Sequence, residues 1–485
     1  MDVVIPASEF KWILPEIILT GWALLLLVIG AFGRSQLSAK VSGVICLLGA
    51  FTTLYATVCL WGNRLDVFNK LYTIDDYGTF FKVIFLIVLS LITILSIKYG
   101  EREEIGSGEY YSLLMFGVLG MMVMVSSHSF ITIFIGLEVM SLSIYVLCGL
   151  MRTNAKSVEA SLKYFLLGAF ATAFLLYGMA LIYGATGLID VVELKAYLAA
   201  NQAYDKVMFF AGLGFLIVGF GFKIASVPFH MWTPDVYQGA PTSITAYMAT
   251  GVKAAAFGAL VRVFYTAFLP FNADWSAVIW VIAVLTMCVG NITALVQKDV
   301  KRLLAYSSIS HAGYILVAFI TGDKQLSASI LYYLLAYTFM NIGAFAVVMA
   351  IGKNGEERTD IDSYAGLGTR QPFLALCMSI FLLSLAGVPP LAGFMGKFYV
   401  FSAAVKAEYY WLAVIGVLNS AVAAFYYLRV MMYMYFREPA AAPVEYDAQP
   451  QYSVVMLICI WALFHAGIFP RTFLLLAQKA VSIFT

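Results

Sequence analysis

The chain has 485 residues, of which 62% are hydrophobic and only 12% charged. That is about half the charge of a soluble domain and excludes an ordinary cytosolic enzyme. Its net charge of +2 is too small to point to nucleic acid or an acidic substrate. A crossing needs about 20 apolar residues to span a hydrocarbon core of about 30 Å, and such stretches recur from Trp12 almost to the C-terminus, so the lipid bilayer is the solvent.

In chain order, the apolar runs predict about fourteen spans: 11–33, 41–61, 77–98, 110–126, 129–150, 157–184, 207–239, 242–267, 274–296, 301–321, 326–351, 372–404, 409–436 and 452–470. The first carries one early lysine, Lys11, and no small-residue cleavage site, so it reads as a retained helix. All are expected to be helices, because hydrocarbon offers no partner to unpaired backbone groups and the runs lack the alternation of barrel strands. The expected class is all-α, a polytopic membrane helix bundle. An even number of spans puts both termini on one side. Lys and Arg favour the odd-numbered connections (Arg34, Lys40, Arg102, Arg152, Lys298, Arg302, Arg358), which places the termini outside.

The stretches 207–239 and 372–404 are too long for one straight span and carry internal prolines, Pro228 and Pro389-Pro390. Each is expected to break at depth. Lys223 lies just before the first break and Lys397 just after the second, and about five spans separate the two. An odd repeat inverts in the membrane, which is a transporter signature. The expected organisation is three N-terminal helices over 1–108, a first repeat over 109–268, a second over 269–437 and a last helix within 438–485. Two kinks that merely improve packing are the alternative.

An ionisable group in mid-span costs roughly 2.5–3.5 kcal/mol. Glu138, Lys163, Lys223, Lys253 and Lys397 all lie in apolar surroundings, together opposing insertion by roughly 10–15 kcal/mol if unpaired. One acid cannot pair four bases. Burial disfavours an amine's charged form and a nearby carboxylate favours it, so moving the carboxylate moves the proton. With Glu138 near Lys223, the order of transfer reads Lys223, Lys253, Lys397. Lys163 lies about two turns inside its span and reads either as a relay or as a snorkelling structural amine. His311, in a run of serines, and His230, just after the first break, read as water-linked bridges or as hydrogen-bonded core residues. His128 reads as a loop residue and His465 as core.

All six cysteines fall in apolar segments without CxxC spacing and read as core. Gly212, Gly214, Gly219 and Gly221 do not form GxGxxG, and no Walker A, HExxH or ferredoxin-type run occurs, so no redox centre is expected on this chain. Trp12, Trp61, Trp275 and Trp411 sit near span ends, as in an aromatic belt. Glu101 to Glu104 and Lys353 to Arg358 read as solvated loops or partner-docking sites.

The run Gly-Phe-Lys-Ile-Ala-Ser-Val-Pro-Phe-His-Met-Trp-Thr-Pro-Asp-Val-Tyr-Gln-Gly-Ala-Pro over 221–241 closely resembles the signature of the subunit N type of proton-pumping NADH:quinone oxidoreductase. The stretches from Lys298 to His311 and from Gly393 to Phe398 fit the same family, and the resemblance runs from about Tyr110 to Arg437. The Thr-Pro-Asp wording, Lys397 where the M type has glutamate, and the lack of a long extension separate it from the L and M types. The resemblance implies fourteen helices in two inverted five-helix repeats, a Glu138–Lys223 pair, Lys253 as central relay and Lys397 as terminal site. It further implies a place in the cell inner membrane beside M-, L-, K- and J-type subunits, with NADH, FMN, iron-sulfur clusters and quinone handled elsewhere and no cofactor on this chain. An independent cation/proton antiporter of the Mrp kind and a scaffold with silent lysines are the competing readings.

Overall fold

The computed structural model describes residues 6–32, 39–105, 107–200, 204–323, 326–353, 356–438, 446–447 and 449–484. Arg34, counted above in the charge bias, lies outside them. In chain order the helices are α1 (Leu14–Phe32), α2 (Ala39–Val58), α3 (Asp76–Arg102), α4 (Gly108–Val125), α5 (Phe130–Cys148), α6 (Ala155–Thr186), α7 (Val191–Ala200), α8 (Lys206–Lys223), α9 (Trp232–Gly239), α10 (Thr242–Tyr247), α11 (Lys253–Ala267), α12 (Asn272–Ala294), α13 (Val300–Phe319), α14 (Ala328–Ala350), α15 (Leu367–Arg370), α16 (Pro372–Ala386), α17 (Ala392–Lys406), α18 (Tyr410–Phe436), α19 (Pro450–Ile468) and α20 (Pro470–Val481). Two short antiparallel hairpins, β1 (Leu65–Val67) with β2 (Tyr72–Ile74) and β3 (Gly352–Lys353) with β4 (Glu356–Glu357), close loops at opposite ends of the bundle.

Short polar side chains start the helices where the sequence supplies them. Asp75, Ser107, Asp205 and Asp299 each accept from a backbone N–H in the first turn of the helix that follows, satisfying donors that have no intrahelical partner.

Among the described residues, twelve helices are long and apolar enough to cross a bilayer. The sequence reading of fourteen spans differs at two places. The stretch 301–321 forms α13, whose Lys301, Arg302, serines and His311 lower its hydropathy. The stretch 372–404 divides into α16 and α17, each 15 residues and each short of a crossing. The break expected in 207–239 lies between α8 and α9, and that in 372–404 between α16 and α17. A third interruption has no proline to announce it: Met248–Val252 forms a π turn between α10 and α11. The continuous stretch Thr242–Ala267 and α14 are enclosed by the rest of the chain over nearly all of their length and form its centre.

Described residues near both ends of the chain meet the β1–β2 hairpin and the residues that flank it. Phe10 packs edge-on against Phe68, and Arg64 donates to the Ile483 carbonyl while Lys479 lies 3.8 Å from Asp76. This end of the bundle is the terminal face; β3–β4 lies on the opposite face.

One contact pattern occurs twice. A Cβ on Gly120 would meet Gly136 O and Met140 N, and one on Gly290 would meet Tyr306 O and Ser310 N; the start of α5 bridges to Asp190, and the start of α13 bridges to Asp360. Each residue of the second set lies the same number of positions beyond its counterpart, and the first bridge is on the terminal face while the second is on the opposite one. Close α4–α5 and α12–α13 packing is thus reproduced upside down, the glycines letting the backbones approach.

Trp275 departs from the aromatic-belt reading. It is buried against Phe264 and Phe319 and donates to the Phe268 carbonyl. Cys59 is exposed and Cys288 partly so, while the other four cysteines are buried.

Candidate functional site

Glu138 and Ser141 lie one turn apart on α5. Lys223 is the last residue of α8, immediately before the first break; it is 3% exposed, and its Nζ donates to Ser141 Oγ at 2.8 Å. The amine stays within the field of the Glu138 carboxylate without direct contact, and Glu138 Oε1 is buried with no hydrogen-bond partner among the described residues. The Ser141 hydroxyl in turn donates to the Leu137 carbonyl at 2.6 Å, so Lys223 is held by a hydroxyl and its pairing with Glu138 is not closed as a salt bridge. The break behind Lys223 is held in hydrocarbon because its freed groups find partners: Val227 N donates to Thr286 Oγ1 (2.9 Å), Ser226 Oγ to the Gly221 carbonyl (3.1 Å) and Trp232 Nε1 to the Phe222 carbonyl (3.1 Å).

Lys253 follows the π turn directly, the kind of interruption that collects at functional sites. It is 2% exposed and donates to the Ser308 carbonyl at 2.6 Å and to the Ser308 hydroxyl. No carboxylate pairs with it among the described residues. One turn further along α13, His311 lies between two phenols, Nδ1 2.6 Å from Tyr333 Oη and Nε2 3.2 Å from Tyr427 Oη, and Tyr427 also contacts the Ser307 hydroxyl. His311 senses the charges of both Lys253 and Lys397.

Lys397 reaches back across the second break. Its Nζ donates to the Ala386 carbonyl at the end of α16 (2.9 Å) and lies 4.9 Å from the centroid of the Tyr314 ring. A helix C-terminus and an aromatic face both favour a cation. Gly387, at φ +93, turns the chain where a Cβ would press on the Lys397 side chain. An apolar groove of 820 Å³ between α17 and α18 ends on this residue.

The remaining expectations divide. Lys163 is 40% exposed and pairs with Glu159 (2.6 Å) and Asp235 (2.8 Å), apart from the buried amines. His230 lies half-buried in the loop after α8, and its Nδ1 has no hydrogen-bond partner among the described residues. His465 stacks on Trp461. His128 is no free loop residue: its Nε2 is 2.8 Å from Arg262 Nη1. Because a guanidinium only donates, His128 accepts there and is neutral, its proton on Nδ1.

Several charges escaped the sequence reading. On the terminal face, Arg262 is fully buried and grips both Asp75 oxygens at 2.7 and 2.8 Å; its partners Asp75 and His128 line a cavity of 460 Å³ with Asp66, Arg64 and Lys195. Nearby, Lys82 contacts Glu16 (3.0 Å) and Tyr72 (2.9 Å), and Tyr72 donates to Glu16. Lys82 and Arg262 stand inside apolar runs, so the rule that found Lys253 was sufficient to find them; Glu16 and Asp75 sit at helix starts, where an acid looks solvated. On the opposite face, Glu103 pairs with Arg102 in near-complete burial, and Glu357 contacts Lys301 and Tyr99. The reading of these two charged runs as solvated loops is corrected at those positions. No group of three His, Cys, Asp or Glu able to hold a metal occurs among the described residues.

Two broken helices, each with a buried lysine beside its break, packed around an enclosed centre, define the antiporter-like class of membrane proteins. The chain belongs to the NADH:quinone oxidoreductase/Mrp antiporter transmembrane family, whose model matches residues 127–423. It is 47% identical to the NADH-quinone oxidoreductase subunit N of Trichlorobacter lovleyi over 97% of this chain and 96% of that protein. Among solved structures, a chain of respiratory complex I from Thermus thermophilus superposes with a TM-score of 0.82 at 35% identity, covering 96% of this chain and 99% of that one. A chain of the Mrp complex of a Dietzia species superposes with a TM-score of 0.83 at 18% identity, over 96% of each, a likeness of fold alone.

Proposed function

We infer that this chain is a proton-translocating membrane subunit of an NADH:quinone oxidoreductase, of the subunit N type, with no redox site of its own. The observation that carries the mechanism is a set of buried amines, Lys223, Lys253 and Lys397, held by hydroxyls, carbonyls and rings rather than by carboxylates. An amine with a matched counter-ion keeps its proton; one held by neutral acceptors can release it when a neighbour's charge changes.

In this reading the Glu138 carboxylate stabilises a proton on Lys223 through space, while Ser141 accepts from the amine. Withdrawal of that negative charge drives the proton toward Lys253. Ser308, His311 and the phenols of Tyr333 and Tyr427 then carry it toward Lys397, since hydroxyl and imidazole both donate and accept. His230 is a branch on the same path, and Lys163 a surface amine at its edge. The repeated α4–α5 and α12–α13 contacts support the division into inverted repeats over 109–268 and 269–437, following 1–108 and preceding 438–485.

NADH, FMN, iron-sulfur clusters and quinone belong to other subunits, whose redox steps supply the driving force, and M-, L-, K- and J-type subunits are the neighbours in the cell inner membrane. The excess of basic residues in the connections on the opposite face supports an outer-side terminal face, with both termini there. The test is Lys253→Ala in the assembled complex: redox-linked pumping is lost while assembly and NADH oxidation persist. Normal pumping would favour a scaffold, and cation/proton exchange by the purified chain alone in proteoliposomes would favour an independent antiporter.

A further inference from the structure

We propose that Glu357 is a positioning residue for Lys253: through Thr242 and Lys301 it sets how the helices carrying Lys253 and Ser308 meet, and it cancels the Lys301 charge above them. The proposal rests on the relay reading just given.

Glu357 ends the β4 strand on the opposite face, in a charged stretch that reads from sequence as a solvated loop. Instead its carboxylate gathers donors from three helices. Oε1 accepts from Thr242 Oγ1 at 2.7 Å, from Thr242 N at 3.3 Å and from Tyr99 Oη; Oε2 accepts from Lys301 Nζ at 3.1 Å. Lys301 is 1% exposed and also donates to the Ala240 carbonyl at 2.7 Å, the cap of α9. One carboxylate thus ties the end of α3, the start of α10 and the start of α13, and through Lys301 it holds the outer half of the first broken helix.

The same two helix starts lead to the relay. Lys301 and Ser308 are seven residues apart on α13, two turns along one face, or about 10 Å. Thr242 leads to Lys253 through the π turn over about 16 Å at helical rise. The clamp and the Lys253–Ser308 contact are therefore two points at which the Thr242–Ala267 stretch and α13 are joined, one at the helix starts and one inside the bundle. The π turn between them has looser hydrogen bonding than an α-helix and gives the stretch one place to yield.

Charge gives the clamp a second consequence. The groups acting on Glu357 are Lys301, Tyr99, Glu103 with its partner Arg102, Tyr364 and Tyr452. Burial works against the Glu357 carboxylate, but Lys301 and the hydroxyl donors outweigh it and hold the group below the ordinary carboxylate range. Around Lys253 stand Ser308, Tyr337 and His311. With Glu357 neutralised, Lys301 loses its ion pair two turns, roughly 10 Å, along α13 from Ser308, the residue that Lys253 contacts; a charge at about that separation and an effective dielectric near 20 opposes protonation about tenfold.

The experiment measures NADH-driven proton pumping against pH in membrane vesicles carrying the assembled complex. Variants are Glu357→Gln, the charge-neutral pair Glu357→Gln with Lys301→Gln, and Lys253→Ala. Glu357→Gln is expected to pump several-fold less at neutral pH, with its profile moved about one unit to lower pH, while the double variant returns the profile to that of the parent. Parent-like rate and profile in Glu357→Gln, with pumping abolished in Lys253→Ala, overturns the inference alone. Normal pumping in Lys253→Ala overturns the relay beneath it. Where Glu357→Gln does not assemble, Glu357→Asp keeps the charge and withdraws it by one methylene. A lower rate at unchanged pH dependence is then expected, and an unchanged rate overturns the proposal.

Discussion

Replacing Arg262 by glutamine tests the buried charges of the terminal face. Its guanidinium, fully enclosed, makes two charge-assisted bonds to Asp75, which is 3% exposed, and a third to His128. Removing one member of such a pair strands a buried carboxylate at a cost of about 3–5 kcal/mol, against at most about 1 for a surface pair. The lower end applies, because Asp75 keeps its bond from Gly78 N at 2.6 Å and the adjoining cavity admits water. For a chain of 485 residues a loss near 3 kcal/mol corresponds to a fall of roughly 3 °C in Tm. The assay is thermal unfolding in detergent, and a Tm within about 1 °C of the parent would refute the reasoning.

The same cluster has a pH signature. Burial first, then Arg262, push His128 down to about 4, against roughly 6.5 in an unfolded chain. Between these values the unfolded chain binds more protons, so stability is complete above the unfolded value and falls as pH drops through the window, by up to about 3 kcal/mol. His128→Gln, which accepts from Arg262 through its amide oxygen and does not titrate there, should flatten that slope; an identical slope in parent and variant would exclude His128 as its source.

Three further outcomes are expected. Ser308→Ala leaves Lys253 its carbonyl acceptor but removes the hydroxyl, and pumping slows roughly 10-fold or more, the size of one hydrogen bond to a charged group; pumping at parent rate would remove Ser308 from the path. Lys163→Ala breaks pairs that are 40% exposed on the lysine side, so stability changes by under about 1 kcal/mol and most pumping persists; a loss matching Lys253→Ala would make Lys163 a relay. Gly393→Ala drives a Cβ into the Ser384 carbonyl oxygen, whereas Gly214→Ala meets nothing within 4 Å. Immunoblots of assembled complex should show the first depleted and the second at parent level.

What the sequence by itself determined is set by local composition. Apolar runs of span length specified a helical membrane protein, prolines inside two of them located breaks next to Lys223 and Lys397, and amines without nearby acids marked Lys253 as costly and therefore useful. Each of these is a property of a window of about 20 residues, and hydrocarbon judges each window separately. The tertiary structure alone decided partnership. Lys253 meets Ser308, Lys82 meets Glu16 and Arg262 meets Asp75 because helices distant in the chain pack side by side, and no local pattern encodes which acceptor arrives. Packing also moved Glu357 from a polar connection into contact with Lys301 and Thr242. A charge near a helix end costs little in water, so its residue type reveals nothing until another element covers it. Burial is a property of the fold, and with it comes the difference between a solvated loop and a carboxylate that ties three helices together.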